Sequence, residues 1–476
     1  LPSGSEVGDA RLISRFGFWW LLSAWTLCID FGTAYSKAAA APRDAWSGFD
    51  PSLVHPLRLG DVQEGGNAFL LESAVLVDDD AILFGRAAMA RANALALRRR
   101  APLRSFKTLL SVSDLDRALN TNAPASIDPH RVFQMRDLIV LYLAYLLTAV
   151  DVAAAQDELA AAAETLEWRY AAPAWRSGDS AGQHDAIVRL FGEADALRKM
   201  AGREALLAPR GVKLETVRAL LPEASAAPSH YQIGLIFEAT AAAAYTSIGL
   251  AEQASHLLVV DMGAGTTDLA ALVRDGANLA ELSEARVTLK QAGDFVDNTI
   301  ANVAIDNCSW ARKEEQRASL WAALMRQVRQ IKESIFLDGA ATIEHEGRRI
   351  EITMRDLERH ADFRDFLSSL TAAYDHALAV VQDDALQRRS REIEAVAVGG
   401  GAAAPFIHEL IAKRRGNAKV AVVKRPATPE WAHAERASSG LAAVFPQLAI
   451  AIGGALAPNP VLAVGGPSNR PGRGRT

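Results

Sequence analysis

The sequence predicts an α/β protein in two lobes, and three observations carry that reading. An apolar run at residues 25–29 ends in Asp30-Phe31-Gly32-Thr33-Ala34-Tyr35, and a second at residues 257–260 ends in Asp261-Met262-Gly263-Ala264-Gly265-Thr266-Thr267-Asp268. Short apolar runs that close on aspartate and glycine are buried strands running into tight turns. A third run, residues 395–398, enters the triplet Gly399-Gly400-Gly401. With 476 residues, 50% hydrophobic and 22% charged, the chain can bury two cores and is expected to divide.

Lobe I is expected over residues 24–250, after an N-terminal extension at 1–23. Strand and turn run from about residue 25 to 90, with residues 70–77 as one strand, and Phe84-Gly85-Arg86-Ala87-Ala88 starts a helical stretch. Residues 137–168 are apolar, alanine-rich and free of breakers, which predicts long helices with Leu138, Leu141, Tyr142 and Tyr145 along one core-facing stripe. Residues 185–201 suit a further helix, and residues 202–230, charged and then bearing proline and alanine, read as an insertion, so a helical insertion spans about 137–230. The four alanines 241–244 favour a helix running on from Phe237-Glu238. Lobe II is expected over 251–456: the strand at 257–260, a hairpin through Asp275-Gly276, helices between 298 and 336, a strand pair around 342–352, and an uncharged element at 440–456. Pro446 and the pair Gly453-Gly454 make that last element a packed one rather than a membrane hairpin. Residues 457–476, rich in proline and glycine, read as a disordered tail.

The two aspartate turns have the chemistry of a phosphate site. Glycine lets backbone N–H groups approach an anion closely, Thr33, Thr266 and Thr267 add hydroxyl donors, and Asp30, Asp261 and Asp268 can hold a hydrated Mg2+. One such turn is ordinary, since glycine and aspartate are good turn formers. Two of them, both leaving strands and joined by a third glycine turn, read as a nucleotide clamp.

These motifs resemble the 70-kDa heat-shock chaperones of the actin-like ATPase superfamily, over roughly residues 24–445. The resemblance implies a two-lobed actin-like ATPase fold, with duplicated ribonuclease H-like lobes around a cleft that binds ATP/ADP and Mg2+. It implies that Asp30, Gly32, Thr33, Ala34 and Tyr35 form the phosphate 1 loop and Gly263, Ala264, Gly265, Thr266 and Thr267 the phosphate 2 loop, with Gly399, Gly400 and Gly401 at the adenosine. Phe237-Glu238-Ala239 looks like the start of the family's connecting helix, which places Glu238 near the metal and the attacking water, although Ala239 replaces the usual proline. Ser105-Phe106-Lys107 falls where the family carries the lysine that reaches the terminal phosphates. Ala292-Gly293-Asp294-Phe295-Val296-Asp297-Asn298 is similar to its glycine turn, with Gly293 approaching those phosphates, and residues 328–334 are placed like its adenosine-facing helix. Lys332 matches there, whereas Arg329 replaces an acidic residue and Glu333 a basic one. After the triplet, Ala402-Ala403-Ala404-Pro405 lacks the family's adenine-stacking arginine, a contact that contributes about 0.5–2 kcal/mol. The choice between ATP and GTP therefore stays open.

The implied activity is slow ATP hydrolysis that switches conformation, with Lys107, Glu238, Asp261 and Thr266 as the catalytic set. A net charge of −5 gives no call for nucleic acid or an anionic membrane. Cys28 and Cys308, the only cysteines, make neither a disulfide framework nor a zinc site and fit a reducing cytoplasm. Arg11, Arg15, the apolar run that follows and Ala38-Ala39-Ala40 imitate a signal peptide, but cleavage there would discard Asp30, Gly32 and Thr33. The β-rich peptide-binding domain of full-length heat-shock chaperones is not expected after residue 456, so a partner protein is expected on the lobe surfaces. A small-molecule kinase and a non-hydrolysing nucleotide-dependent scaffold or filament protein remain alternatives.

Overall fold

Alternation along buried strands builds the fold. In β1 (Trp25–Phe31) the side chains of Trp25, Leu27, Ile29 and Phe31 enter one core while Cys28 enters another, because successive residues of a strand point to opposite faces. The computed structural model describes residues 24–457 apart from 44–49, 61–66, 96–99, 111, 113, 158, 160–165, 174–179, 228–230, 248–255, 276–277, 414–418 and 435–436. The expected N-terminal extension, the tail after Ala457, the boundary at 250–251 and Gly276 of the hairpin lie outside these residues.

The protein is mixed α/β. Its first sheet contains β1, β2 (Tyr35–Pro42), β3 (His55–Pro56), β4 (Leu166–Ala172) and β5 (Gly234–Phe237) in the order β3-β2-β1-β4-β5, with the short strand Leu71–Glu72 also on β2. Its second contains β6 (His256–Met262), β7 (Thr267–Asp275), β8 (Asn278–Leu289), β9 (Glu392–Val398) and β10 (Ala421–Lys424) in the order β8-β7-β6-β9-β10. In both sheets the first three strands of the chain run antiparallel and the last two join parallel. Strand order and direction are thus the same twice over, and both aspartate turns occupy the same connection, between the first and second strands of their sheet.

Each sheet has its own outer core, and their inner faces share a third. Leu258, Val260 and Met262 of β6 point into the second outer core, whereas Leu257 and Val259 join Cys28, Ala39 and Ala171 of the first sheet in the shared one. Two helices fill it, Glu238–Ser247 and Leu441–Leu456, and their contact is made by small residues. A Cβ at Gly453 would lie 1.8 Å from the Ala241 carbonyl oxygen, and one at Gly454 would lie 2.3 Å from Cys28 Sγ. The uncharged 440–456 segment is therefore a packed helix, as expected. Its end is tied down by Arg169 of β4, buried to 2% exposure, whose Nη1 donates to the carbonyls of Gly454 (3.2 Å) and Ala457 (2.5 Å) while Nε donates to Glu167 (2.7 Å). Replacing Arg169 with methionine strands two buried carbonyls, and thermal unfolding is expected to register a loss of about 3 kcal/mol.

Three expectations about elements change. Residues 70–77 are two strands, Leu71–Glu72 on β2 and Val75–Val77 paired with Ala81–Phe84, because the chain crosses between sheets at Ser73, whose N–H donates to the Ala34 carbonyl. The helix expected through residue 168 ends at Gln156, and Leu166 to Trp168 belong to β4. Within the 137–230 stretch, β4 lies beside β1 inside the first sheet. The helix Met135–Gln156 buries Ile139, Val140 and Leu143 as well as the expected Leu138, Leu141 and Tyr142, so its stripe widens nearly to the whole circumference. It is long and apolar enough to cross a membrane by length and composition, with a mean hydropathy of 2.1, and 72% of that window is buried inside the protein. Among its neighbours is the helix Ser180–Ala201, held through the Arg136–Glu193 ion pair at 2.7 Å. The expected strand pair near 342–352 is the hairpin Ala340–His345 with Arg348–Thr353.

Candidate functional site

The first turn is built by the β1–β2 hairpin. Asp30 is the last residue but one of the fully buried strand β1, and the antiparallel register sets Lys37 directly opposite. Lys37 Nζ donates to Asp30 Oδ2 at 2.5 Å, while the buried Oδ1 accepts no hydrogen bond among the described residues. Gly32 is required by close approach, since a Cβ there would lie 2.4 Å from the Tyr35 carbonyl oxygen and 3.0 Å from Lys37 Nζ. The Thr33 carbonyl accepts from the Ser105 N–H at 3.4 Å, with Ser105 in the left-handed region at φ 59°. That contact seats the Ser105-Phe106-Lys107 segment beside the turn, and Phe106 anchors it by packing on Phe31 and Tyr142 at ring separations of 5.3 and 4.8 Å. Lys107 lies in the short helix Phe106–Leu110; its side chain is outside the described residues.

The second turn repeats the arrangement. Asp261 and Asp268 face each other in the β6–β7 register, and the Gly263 N–H donates across the turn to the Thr266 carbonyl at 3.0 Å. Ala264 and Gly265 form its partly exposed crest. Thr266 and Thr288 donate their hydroxyls to the two oxygens of Asp268, at 2.8 and 2.5 Å. Thr267, expected to donate outward, is fully buried and donates to the Gln291 carbonyl at 2.8 Å, since strand alternation turns it away from Thr266. The helix Gly293–Asp306 docks on the turn through the N–H groups of Gly293 and Asp294, which donate to the carbonyls of Gly263 (3.1 Å) and Ala264 (2.8 Å). A Cβ on Gly293 would meet the Gly263 carbonyl oxygen at 3.2 Å. Lys332 reaches this place from the helix Glu314–Asp338 and pairs with Asp297 at 2.7 Å.

The third turn and Glu238 complete the group. Gly399 sits at φ 83° and a Cβ on it would fall 2.4 Å from Asp261 Oδ1, so the triplet is pressed against the second turn. The Gly401 N–H donates to the Met262 carbonyl at 2.8 Å, whereas Gly400 has open space where its Cβ would be and Ala403 is exposed. Glu238 begins the helix Glu238–Ser247 straight after β5 and is 6% exposed. Glu238, Asp261 and Asp268 each bring a carboxylate oxygen within 4.8 Å of the others. Among the described residues this is the one cluster of metal-capable side chains, and Asp30 stands apart from it against Lys37.

Several residues at the site were not singled out in the sequence. Lys37 was signalled only by hairpin register, which needs the turn length to be known. Thr288 comes from a strand 20 residues beyond Asp268. Arg104 becomes visible through the charges it faces. Burial pushes the Asp294 carboxyl above the usual range, with Arg104 and Lys332 pulling it down and Asp297 adding to the rise. Burial likewise raises Glu72, against the pull of Arg104, Arg86 and Arg329. Arg104 precedes the first sheet's Ser105 segment and Asp294 belongs to the helix on the second turn, so these charges link elements of both sheets. The sequence matches no protein-family model and no curated protein.

Proposed function

We propose that the protein is a two-lobed actin-like ATPase that binds Mg-ATP between its sheets and hydrolyses it slowly to change conformation. The observation that carries the reading is the convergence of Glu238, Asp261 and Asp268, which come from different elements and meet within 4.8 Å beside two glycine turns. The repeated strand order supports a duplicated ribonuclease H-like pair of lobes, with the Glu238–Ser247 and Leu441–Leu456 helices between them. The resemblance of the motifs to heat-shock chaperones supports the choice of nucleotide and reaction.

The donor set fits magnesium, since all three offer hard carboxylate oxygens that lie within 4.8 Å of one another. Glu238, Asp261 and Asp268 would hold the ion, which would supply positive charge against the phosphates. The chain's own residues supply the rest. Amides at residues 32–34 and 264–266 hold phosphate oxygens, and Lys37 and Lys107 bring positive charge from the first sheet's side. Thr266 fixes the Asp268 carboxylate, and Gly293 leaves room for the terminal phosphate. Glu238 and Asp261 orient the attacking water and accept its proton. Lobe closure is the output, read by a partner protein on the lobe surfaces rather than by nucleic acid or a membrane, and the two unpaired cysteines fit the cytoplasm.

The exposed Ala403 favours one second reading, a nucleotide-dependent scaffold that binds without turnover, since an alanine cannot stack on the base. Calorimetric titration with ATP, with and without magnesium, beside a phosphate-release assay separates the two. Binding with release supports the ATPase, binding without release supports the scaffold, and no binding to ATP or GTP removes both.

A further inference from the structure

One helix reaches both glycine turns, through two different side chains. Arg329, on the helix Glu314–Asp338, lies 4.6 Å from the centroid of the Tyr35 ring and donates from Nη1 to the Tyr35 hydroxyl, across 294 residues of sequence. The planar guanidinium can stack on a ring and donate from its edge together, which an ammonium group cannot do. Tyr35 closes the first glycine turn. It opens β2, faces Glu72 in register, and carries the carbonyl oxygen that leaves no room for a side chain at Gly32. Three residues after Arg329, Lys332 holds Asp297 in the helix docked on the second turn. A single helix therefore grips both turns.

We propose that Arg329 and Tyr35 form a strap across the nucleotide site, fastened while the lobes are closed and released for nucleotide to enter or leave. The proposal rests on the nucleotide-binding reading and adds a gate to it. Arg329 is half exposed, and Glu333 Oε1 waits 4.0 Å away one helical turn on, so the freed guanidinium has a second partner on its own helix. Glu72, flanked by Arg86 and Arg104, offers another beside Tyr35. A contact open to water breaks readily. It slows release about tenfold, the factor that roughly 1.4 kcal/mol carries.

The test follows release of N-methylanthraniloyl-ADP from the full chain in magnesium, by stopped flow with excess ADP as chase. Arg329→Ala is expected to release about ten times faster than wild type. Arg329→Lys is expected to stay near Arg329→Ala, and Tyr35→Phe, which keeps the ring and loses the acceptor, to fall between. The double variant Arg329→Ala with Tyr35→Ala should release no faster than Tyr35→Ala alone. Unchanged release from Arg329→Ala, or fully additive effects in the double variant, overturns the strap. If wild type binds no nucleotide, that reading fails by itself, and the strap is decided by amide hydrogen exchange on the nucleotide-free protein. Arg329→Ala must then speed exchange over residues 30–37 without lowering the melting temperature, and unchanged exchange overturns the strap too.

Discussion

Asp261→Asn is expected to bind ATP and to release phosphate at least about 100-fold more slowly than wild type. The amide has the size of the carboxylate, so the close packing of Gly399 against this side chain is kept. What it removes is charge, at the one position shared by the acidic cluster, the β6–β7 register and the third turn. A neutral residue there weakens the hold on magnesium and cannot take a proton from water. Two assays run together decide it: calorimetric affinity for ATP and single-turnover phosphate release. Turnover at the wild-type rate would end the assignment of Asp261. Loss of ATP binding in step with turnover would reassign it from catalysis to binding.

Gly453→Ala is expected to be among the most damaging single-methyl changes in the protein. The added carbon would sit 1.8 Å from the Ala241 carbonyl oxygen and 3.2 Å from the Tyr245 nitrogen, both backbone atoms of the facing helix. Backbone cannot rotate away as a side chain can, so the two helices must separate. Overpacking of this kind costs about 3 kcal/mol or more, a large share of the roughly 5–15 kcal/mol that holds an ordinary domain folded. Gly400→Ala is the matched control. Its Cβ meets nothing within 4 Å, and its effect on stability should stay within about 0.5 kcal/mol. Urea unfolding of both variants measures the contrast, and equal stability would refute the close helix approach.

The same pair of glycines marks how far the sequence could be read. Gly453-Gly454 in an uncharged segment is enough to expect packing rather than a membrane hairpin, but it does not say against what. The partners, Ala241 and Cys28, lie more than 200 and 400 residues earlier, and only the folded chain brings them to those glycines. Residues 70–77 fail for a related reason. Their alternation is that of a strand, while the break at Ser73 is set by its bond to Ala34 and by the two sheets on either side. The helix Met135–Gln156 was expected to show one buried face and is buried almost all round, because its neighbours cover it from several sides.

By itself the sequence determined the local chemistry: which strands end in aspartate, where glycine turns follow, where alanine favours helix, and that the last apolar segment packs. These are properties of neighbours in the chain, and periodicity and turn residues encode them. Tertiary structure alone decided that Glu238 joins Asp261 and Asp268, that Lys37 holds Asp30, and that Arg329 lies on Tyr35. Register, strand order and the packing of one sheet's helices on the other set those meetings. A pattern of near neighbours cannot carry them, because each depends on where a distant part of the chain comes to rest.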